Sequence, residues 1–577
     1  MPFMKRSFSK LFLSLVCFGS ILLTQAHAHT FIIRNTQDTT DEKSLRGAII
    51  AANRWGGDNA IILAKGTYRL TIPGPDEDAA RSGDLDITRG RLAIVGISAA
   101  KVIIDASGSG DRVFHVLPGA QLLLDNVTIS GGAASGGERG GGIFNSGHLW
   151  LHCCVVRSNT TTTGTGGFVG GTGGHGAGIY NAGWLKLDRC IVSENATAGG
   201  GGGDFGQNDL SSTNRGPGGV GGSGAGICNV GILTMNHCTI SRNSTGAGGL
   251  GGSSTGVGNW GNVGGKGGEG GGIYNAGTST VNSTTFDGNL TGIGGGGGGG
   301  YCIWINDSWW FCTGGGSGGS GGDGAGIYNT GALTVDTSTV SGNTNGNGSG
   351  AGSDGSGGNG GNGAIYSSGS LKIASCTVTA NSGGNGGFGI SFFGDFSQGR
   401  GGDGGVVNAT NGAYATVRNS LIALNTAGVS FGPIFCDPVA GCWPPAPAPD
   451  VTGPFTSLGY NLIGRGYGST GFANGINGDL VGTGTAPLNP LLGPLQDNGG
   501  PTFTHALLPG SPAIDQGKSS GRTADQRGHR RPHDFSAIPN APGGDGSDIG
   551  AFELGGSICD ASAMVDSEDS LPAWGHE

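Results

Sequence analysis

Residues 324–343 read Gly-Ala-Gly-Ile-Tyr-Asn-Thr-Gly-Ala-Leu-Thr-Val-Asp-Thr-Ser-Thr-Val-Ser-Gly-Asn, and the pattern recurs along the chain. Copies start at Ile143, Ile179, Ile227, Ile273, Ile327 and Ile365. In all six an asparagine closes the unit 16 positions later: Asn159, Asn195, Asn243, Asn289, Asn343 and Asn381. A looser copy is expected over 407–425, and an earlier one without the asparagine over 116–129. Isoleucine-to-isoleucine spacings of 36, 48, 46, 54 and 38 describe a fixed unit separated by inserts of variable length. Self-similarity of this kind marks a solenoid.

Within a unit the apolar positions lie six, eight, eleven and thirteen after the isoleucine, as in Leu185, Leu187, Cys190 and Val192. Steps of two are strand alternation; the step of three between the pairs is a bend that resets the face. A glycine four after the isoleucine (Gly147, Gly183, Gly231, Gly277, Gly331, Gly369) requires either positive φ or close backbone approach. Short strands, tight bends and no helical period describe one coil of an all-β parallel β-helix, stacked at about 4.8 Å per coil. The eleventh position then becomes an internal column of small side chains: Cys154, Cys190, Cys238, Thr284, Ser338 and Cys376. The four cysteines are expected to be buried reduced thiols, because parallel stacking points them alongside one another and not at one another. Asn145, Asn181, Asn229, Asn275 and Asn329 form a second column and the closing asparagines a third, both structural.

At the N-terminus Lys5, Arg6 and Lys10 precede an apolar run over 11–23, and Ala26-His27-Ala28 offers a small-x-small cleavage site. Residues 1–28 are therefore expected to be a secretory signal peptide, too short for a membrane span. The remaining divisions are 29–130 (cap and first coils), 131–430 (repeats with glycine-rich inserts), 431–553 (final coils and cap) and 554–577 (acidic tail). Glycine makes up 130 of 577 residues and charged residues only 12%. The net charge of −10 argues against a nucleic-acid partner, and no other stretch is long and apolar enough to cross a bilayer. Leaving out Cys17, eleven cysteines remain, so at least one is unpaired or intermolecular.

The lead-in carries Ser44-Leu45-Arg46-Gly47-Ala48-Ile49, the start of an amphipathic helix that would cap the first coil. With Gly83-Asp84-Leu85-Asp86-Ile87 and Val113-Phe114-His115-Val116 it resembles bacterial secreted right-handed β-helix proteins with a Cys-Ser-Leu-Arg-Glu-Ala motif; Lys43 and Gly47 stand where that motif has cysteine and glutamate. The far end, Asn498-Gly499-Gly500-Pro501-Thr502 through Ser511-Pro512-Ala513-Ile514-Asp515, Asp525-Gln526-Arg527-Gly528 and Asp548-Ile549-Gly550-Ala551-Phe552-Glu553, is similar to the choice-of-anchor Q type region of the same family. The repeats also resemble those of chlamydial polymorphic outer membrane proteins. The resemblance implies a right-handed, pectate-lyase-like coil and a secreted or cell-surface protein, with outer-membrane association open. Asp525, Arg527 and Arg531 read as structural salt-bridge residues of the cap.

The inserts repeat Gly-Gly-x, as over 218–226, 264–272, 314–326 and 357–363. One non-glycine in three suits legs of polyproline II type packed against each other; a flexible glycine linker is the alternative. Tyr301, Trp304, Trp309, Trp310 and Phe311 sit in one insert around Cys302 and Cys312, a pair that oxidising surroundings permit to close a disulfide; Cys436 and Cys442 are a second such pair. The aromatics form the expected binding surface, for an extracellular glycan or a cell-surface protein. Phe392 and Phe393 mark a second aromatic insert. Gly321-Gly322-Asp323-Gly324 matches a calcium nonapeptide only locally, and neither metal nor cofactor is expected.

Outward positions five, seven and nine after the isoleucine are His148, Trp150 and His152 in one coil and Trp184, Lys186 and Asp188 in the next. His152, Lys186, Asp188 and Arg189 are the residues on which a polysaccharide lyase or glycoside hydrolase would rest, with Trp150 and Trp184 stacking a sugar ring. One carboxylate makes neither an acid–base pair nor a calcium cage. The expected protein is an adhesive or structural β-helix, with a carbohydrate-active enzyme as the competing reading.

Overall fold

The computed structural model describes residues 29–557 except 75–76, 135–137, 204–215, 255–259, 306–308, 390–397, 410–413, 432–434, 438–440 and 444–446; side chains across 302–312 and 432–446 also lie outside the described residues. The chain winds as a right-handed parallel β-helix of three stacked sheets. In the coil of Ile179 the strands are Ile179–Asn181 on sheet I, Trp184–Asp188 on sheet II and Ile191–Ser193 on sheet III. Sheets I, II and III contain 11, 12 and 12 strands. The repeat isoleucines stack in register, Ile143 on Ile179, Ile227, Ile273, Ile327 and Ile365. The two looser copies are shifted from expectation. Val406, not Val407, pairs with Ile365, and Phe114, not Val116, pairs with Ile143.

The bends follow from the small-residue column. Just before it stand left-handed residues, Cys153, Arg189, His237, Ser283, Thr337 and Ser375, at φ of 45–51°. The column side chain then caps the carbonyl two residues back: Cys190 Sγ to Asp188 O at 3.2 Å, Thr284 Oγ1 to Asn282 O at 2.8 Å, Ser338 Oγ to Asp336 O at 2.6 Å. Any short donor serves, which is why Cys, Thr and Ser interchange there. Cys154, Cys190, Cys238 and Cys376 are free and buried, as expected. The glycine four after each isoleucine serves close approach. A Cβ on Gly183 would meet the carbonyl carbon of Ser146 at 2.9 Å, and Gly183 is absent from the positive-φ glycines.

Both asparagine columns are fully buried amide ladders. Asn181 Nδ2 donates to Asn229 Oδ1 at 2.7 Å, Asn229 to Asn275 at 2.8 Å and Asn275 to Asn329 at 2.7 Å. The closing asparagines run from Asn159 through Asn381 and Asn425, and the ladder ends on Asp450 Oδ1, 3.0 Å from Asn425 Nδ2. An acceptor-only carboxylate suits the last rung, since nothing beyond it needs a donor.

Helix Leu45–Trp55 closes the first coil, N-capped by Ser44, with Leu45, Ala48, Ile49 and Ala52 against the open end of the core. A Cβ at Gly47 would fall onto the Asp41–Glu42 backbone, so a larger residue does not fit there. Arg46 is fully buried beneath it, bonded to Asp38 and to the carbonyls of Ala80, Gly83 and Asp84.

At the other end the chain leaves the coil after Leu480–Val481 and packs along the outer side of sheet III. Thr285 Oγ1 donates to Phe503 O, Thr339 Oγ1 to Gln526 Oε1, and Thr377 Oγ1 accepts from Ala551 N–H. Leu421, Leu462, Leu507, Ile514, Ile549 and Phe552 form a second apolar cluster there. Arg527 pairs with Asp525 at 2.8 Å and Arg531 with Glu553 at 2.7 Å, all four buried, so these groups hold the flank together.

The glycine inserts are ordered and packed. Gly201 donates to Gly171 O, Gly219 to Gly201, Gly249 to Gly219, Gly265 to Gly249, Gly295 to Gly265 and Gly319 to Gly295, each at 2.8 Å. Outgoing and returning legs therefore alternate. A second set joins like legs in steps of three: Gly218, Gly221 and Gly224 donate to Val263, Lys266 and Glu269. Period three without helix or strand is the polyproline II pattern, and it excludes the flexible-linker alternative for these legs. The third residue of each triplet turns outward, leaving Leu250 and Ile293 exposed.

Candidate functional site

Sheet II carries the polar chemistry on its outer face. Its fifth positions align Asp125, His152, Asp188 and Asn236 on successive coils. His152 Nδ1 lies 2.8 Å from Asp125 Oδ1 and its Nε2 3.5 Å from Asp188 Oδ2. His237 Nδ1 sits 3.8 Å from Asp188 Oδ1, and Cys153 Sγ 3.6 Å from His152 Nε2. Its hydrogen bonds to Asp125 and Cys153 outweigh burial and push His152 up to about 10. Burial opposes ionisation of Asp188, but the neighbouring His237, Arg189 and His152 hold its carboxyl below the usual range. At neutral pH His152 is therefore imidazolium, with ionised Asp188 on its other side.

Two residues earlier on the same outer face, Trp150 stacks on Lys186, whose Nζ is 4.9 Å above the indole ring. Trp184 aligns instead with His148, ring centroids 6.0 Å apart. The two tryptophans therefore stand in adjacent columns on neighbouring coils of the same face. The structure does bring His152, Lys186 and Asp188 onto one face, with Arg189 exposed at the adjoining bend. Asp125 was missed because the early copy is in register from Phe114. Placing Leu122 and Leu124 under Leu149 and Leu151 puts Asp125 beneath His152.

The aromatic insert is described only along its backbone, where Cys302–Ile305 and Trp309–Cys312 pair antiparallel with Cys302 opposite Cys312. Cys436 likewise stands opposite Cys442. Both expected disulfides, and the side chains of Trp304, Trp309, Trp310 and Phe311, lie outside the described residues; Tyr301 is exposed beside them. Phe392 and Phe393 fall outside as well. No disulfide occurs among the described residues. Asp323, of the local calcium-repeat match, is paired with Lys266 at 2.6 Å.

No family model and no curated protein matches the chain. The solved structures to which the chain is similar include two. One is titled "Crystal structure of pectate lyase Pel9A": 12% identical, covering 92% of this chain and 97% of its own, TM-score 0.37. The other is titled "Geobacillus virus E2 - ORF18": 13% identical over 46% of this chain and 57% of its own, TM-score 0.20. Neither likeness carries activity, substrate or partner to this chain. No helix among the described residues is long and apolar enough to cross a membrane.

Proposed function

We propose that this is an exported, non-catalytic β-helix protein that binds an acidic extracellular glycan on the early coils of sheet II. The observation that carries the reading is the Asp125–His152–Asp188 column beside Trp150 and Lys186. A general base must be unprotonated near the working pH, whereas His152 is held as imidazolium chiefly by its hydrogen bonds to Asp125 and Cys153. Each carboxylate in turn spends its charge on a histidine, so neither serves as a free acid or nucleophile. What faces outward is aromatic and cationic: Trp150, Trp184, Lys186, His148 and Arg189. Rings for the apolar face of a sugar and cations for its carboxylates are what such a ligand requires. The signal-peptide pattern and the resemblance to secreted β-helix proteins support export, and the glycine bundle supports a long, stiff surface structure.

The test is to bind purified protein to immobilised acidic and neutral polysaccharides while assaying the same polymers for unsaturated or new reducing ends. Binding to acidic polymers, lost in a Trp150→Ala/Lys186→Ala variant and unaccompanied by chain scission, is the expected result. Scission that disappears in His152→Ala would replace this reading with the enzyme.

A further inference from the structure

We infer that Asp78, Asp86 and His115 form a binding site for a divalent transition metal of zinc-like chemistry, fastening the 77–84 segment to the early coils. Asp86 and His115 are the central residues of strands Leu85–Ile87 and Phe114–Val116, paired in register on sheet I. Stacking therefore places their side chains next to each other. The segment before Asp86 turns back through Ala80 at φ 56° and delivers Asp78 to the same spot. His115 Nδ1 is 3.3 Å from Asp78 Oδ1 and 3.4 Å from Asp86 Oδ1, and the three ligand atoms lie within 4.8 Å of one another.

These separations are long for a hydrogen bond, whose N···O distance is about 2.7–3.2 Å. They equal the edge of a tetrahedron with metal–ligand bonds of about 2.0–2.1 Å, which is about 3.3–3.4 Å. A second observation points to a ligand. Asp86 is 0% exposed; its Oδ2 takes the Ala80 N–H at 2.8 Å, but Oδ1, on the His115 side, is buried with no hydrogen-bond partner. A bare buried carboxylate oxygen is costly, and a cation there removes the cost.

The surroundings are short of positive charge. Asp84 and Asp111 are buried alongside. Arg112 is shared among Asp84, Asp111 and Glu138, and Arg46 is held by Asp38 and three carbonyls. A nitrogen donor with two carboxylates favours a zinc-like ion over calcium, which takes 6–8 oxygens. Asp78 is 70% exposed, so the fourth position opens to solvent and suits a water.

The test uses the whole chain, freed of metal by chelator and dialysis, then titrated with Zn²⁺, Co²⁺ or Ca²⁺. Calorimetry should give one Zn²⁺ per chain, Co²⁺ should produce the intense visible absorption of a tetrahedral site, and zinc should raise the melting temperature. Asp78→Asn, exposed enough to leave folding intact, and His115→Gln should each weaken zinc binding by more than the ~10–100-fold typical of losing an outer-shell partner. In chelator, Asp78→Asn should melt with the parent. Absence of stoichiometric zinc, unchanged zinc affinity in Asp78→Asn, or preference for Ca²⁺ would each overturn the assignment and leave the cluster as a histidine salt-bridged to two aspartates.

Discussion

Replacing Gly265 by alanine tests whether the glycine bundle is a packed structure. Gly265 sits on a returning leg, donating to Gly249 O and accepting from Gly295 N, both at 2.8 Å. A Cβ built there would overlap the Gly219 carbonyl oxygen, with the carbonyl carbon at 2.6 Å and Gly218 O at 2.9 Å. Carbon atoms pack at about 3.5–4.0 Å, so the legs must part by about 1 Å. That carries the bonds joining these two legs, Gly218 N–H to Val263 O at 3.0 Å and Gly221 N–H to Lys266 O at 2.9 Å, to about 4 Å, beyond useful range. Loss of two such bonds at about 1 kcal/mol each, with an overpacking cost of about 1–3 kcal/mol, gives roughly 3–5 kcal/mol of local destabilisation. Gly202→Ala is the control. Its Cβ would meet only Leu250 O, at 3.9 Å, and its φ is not positive. That change should be neutral, or stabilising by about 0.4–1 kcal/mol through the unfolded chain. Hydrogen exchange resolved by segment is the assay. Gly265→Ala should accelerate exchange at Gly218, Gly221 and Gly265 while the Ile273–Asn275 strand stays protected, because a solenoid distributes stability by neighbour. Equal exchange in the two variants, or unprotected insert amides in the parent, would refute the packed bundle.

Three further outcomes follow from the coil. Ile240→Asp or Val340→Asp puts an unpaired carboxylate into a site of 0% exposure at a cost of several kcal/mol, and should abolish folded protein, while Thr334→Asp on the outer face should be tolerated; equal yields would reverse the inside–outside assignment. His152, raised from its ordinary 6.5 to about 10, contributes stability that is complete below 6.5 and lost as pH rises through about 10; its ring should titrate by NMR well above neutrality and move down in Asp125→Asn, and a neutral-pH titration would contradict the ion-paired column. Among the described cysteines, alkylation of folded protein should mark only half-exposed Cys153, since Cys154, Cys190, Cys228, Cys238 and Cys376 are buried and burial pushes Cys228 and Cys376 up to about 12; a labelled Cys376 would show that its column is not sealed.

The coil was readable because its causes are periodic. A buried ladder of asparagines and a column of short hydroxyl or thiol donors repeat at one offset from each isoleucine, and inward Leu, Val and Ile alternate between them. The glycine legs were half readable: triplets announce a threefold backbone, but only spatial neighbours show that a Cβ on Gly265 has nowhere to go. The displaced copies at Phe114 and Val406 lost their signal where Val116 stands in the amide column and where extra residues lengthen the seventh coil. Misplacing the first of these by two residues hid Asp125 from His152, and with it the reason that His152 is not a base.

The flank shows the other limit. His505 reaches Ser341 and Gln526 reaches Thr285 across 164 and 241 residues, through pairings no local pattern encodes. Their trace is nonetheless present in composition. Where the C-terminal segment lies on sheet III, the outward first residues are Thr285, Thr339, Thr377 and Leu421, and all are buried. Where it does not reach, Val155, Ile191 and Thr239 at the equivalent position are part- or fully exposed. A threonine there offers a hydroxyl to an incoming backbone, as Thr377 does for Ala551 N–H at 3.1 Å. Three of the four covered coils thus carry a hydroxyl at this position, and Leu421 on the fourth packs into the second apolar cluster. That leaves the early coils of sheets II and III as the uncovered surface on which Trp150, Lys186 and the His152 column are presented.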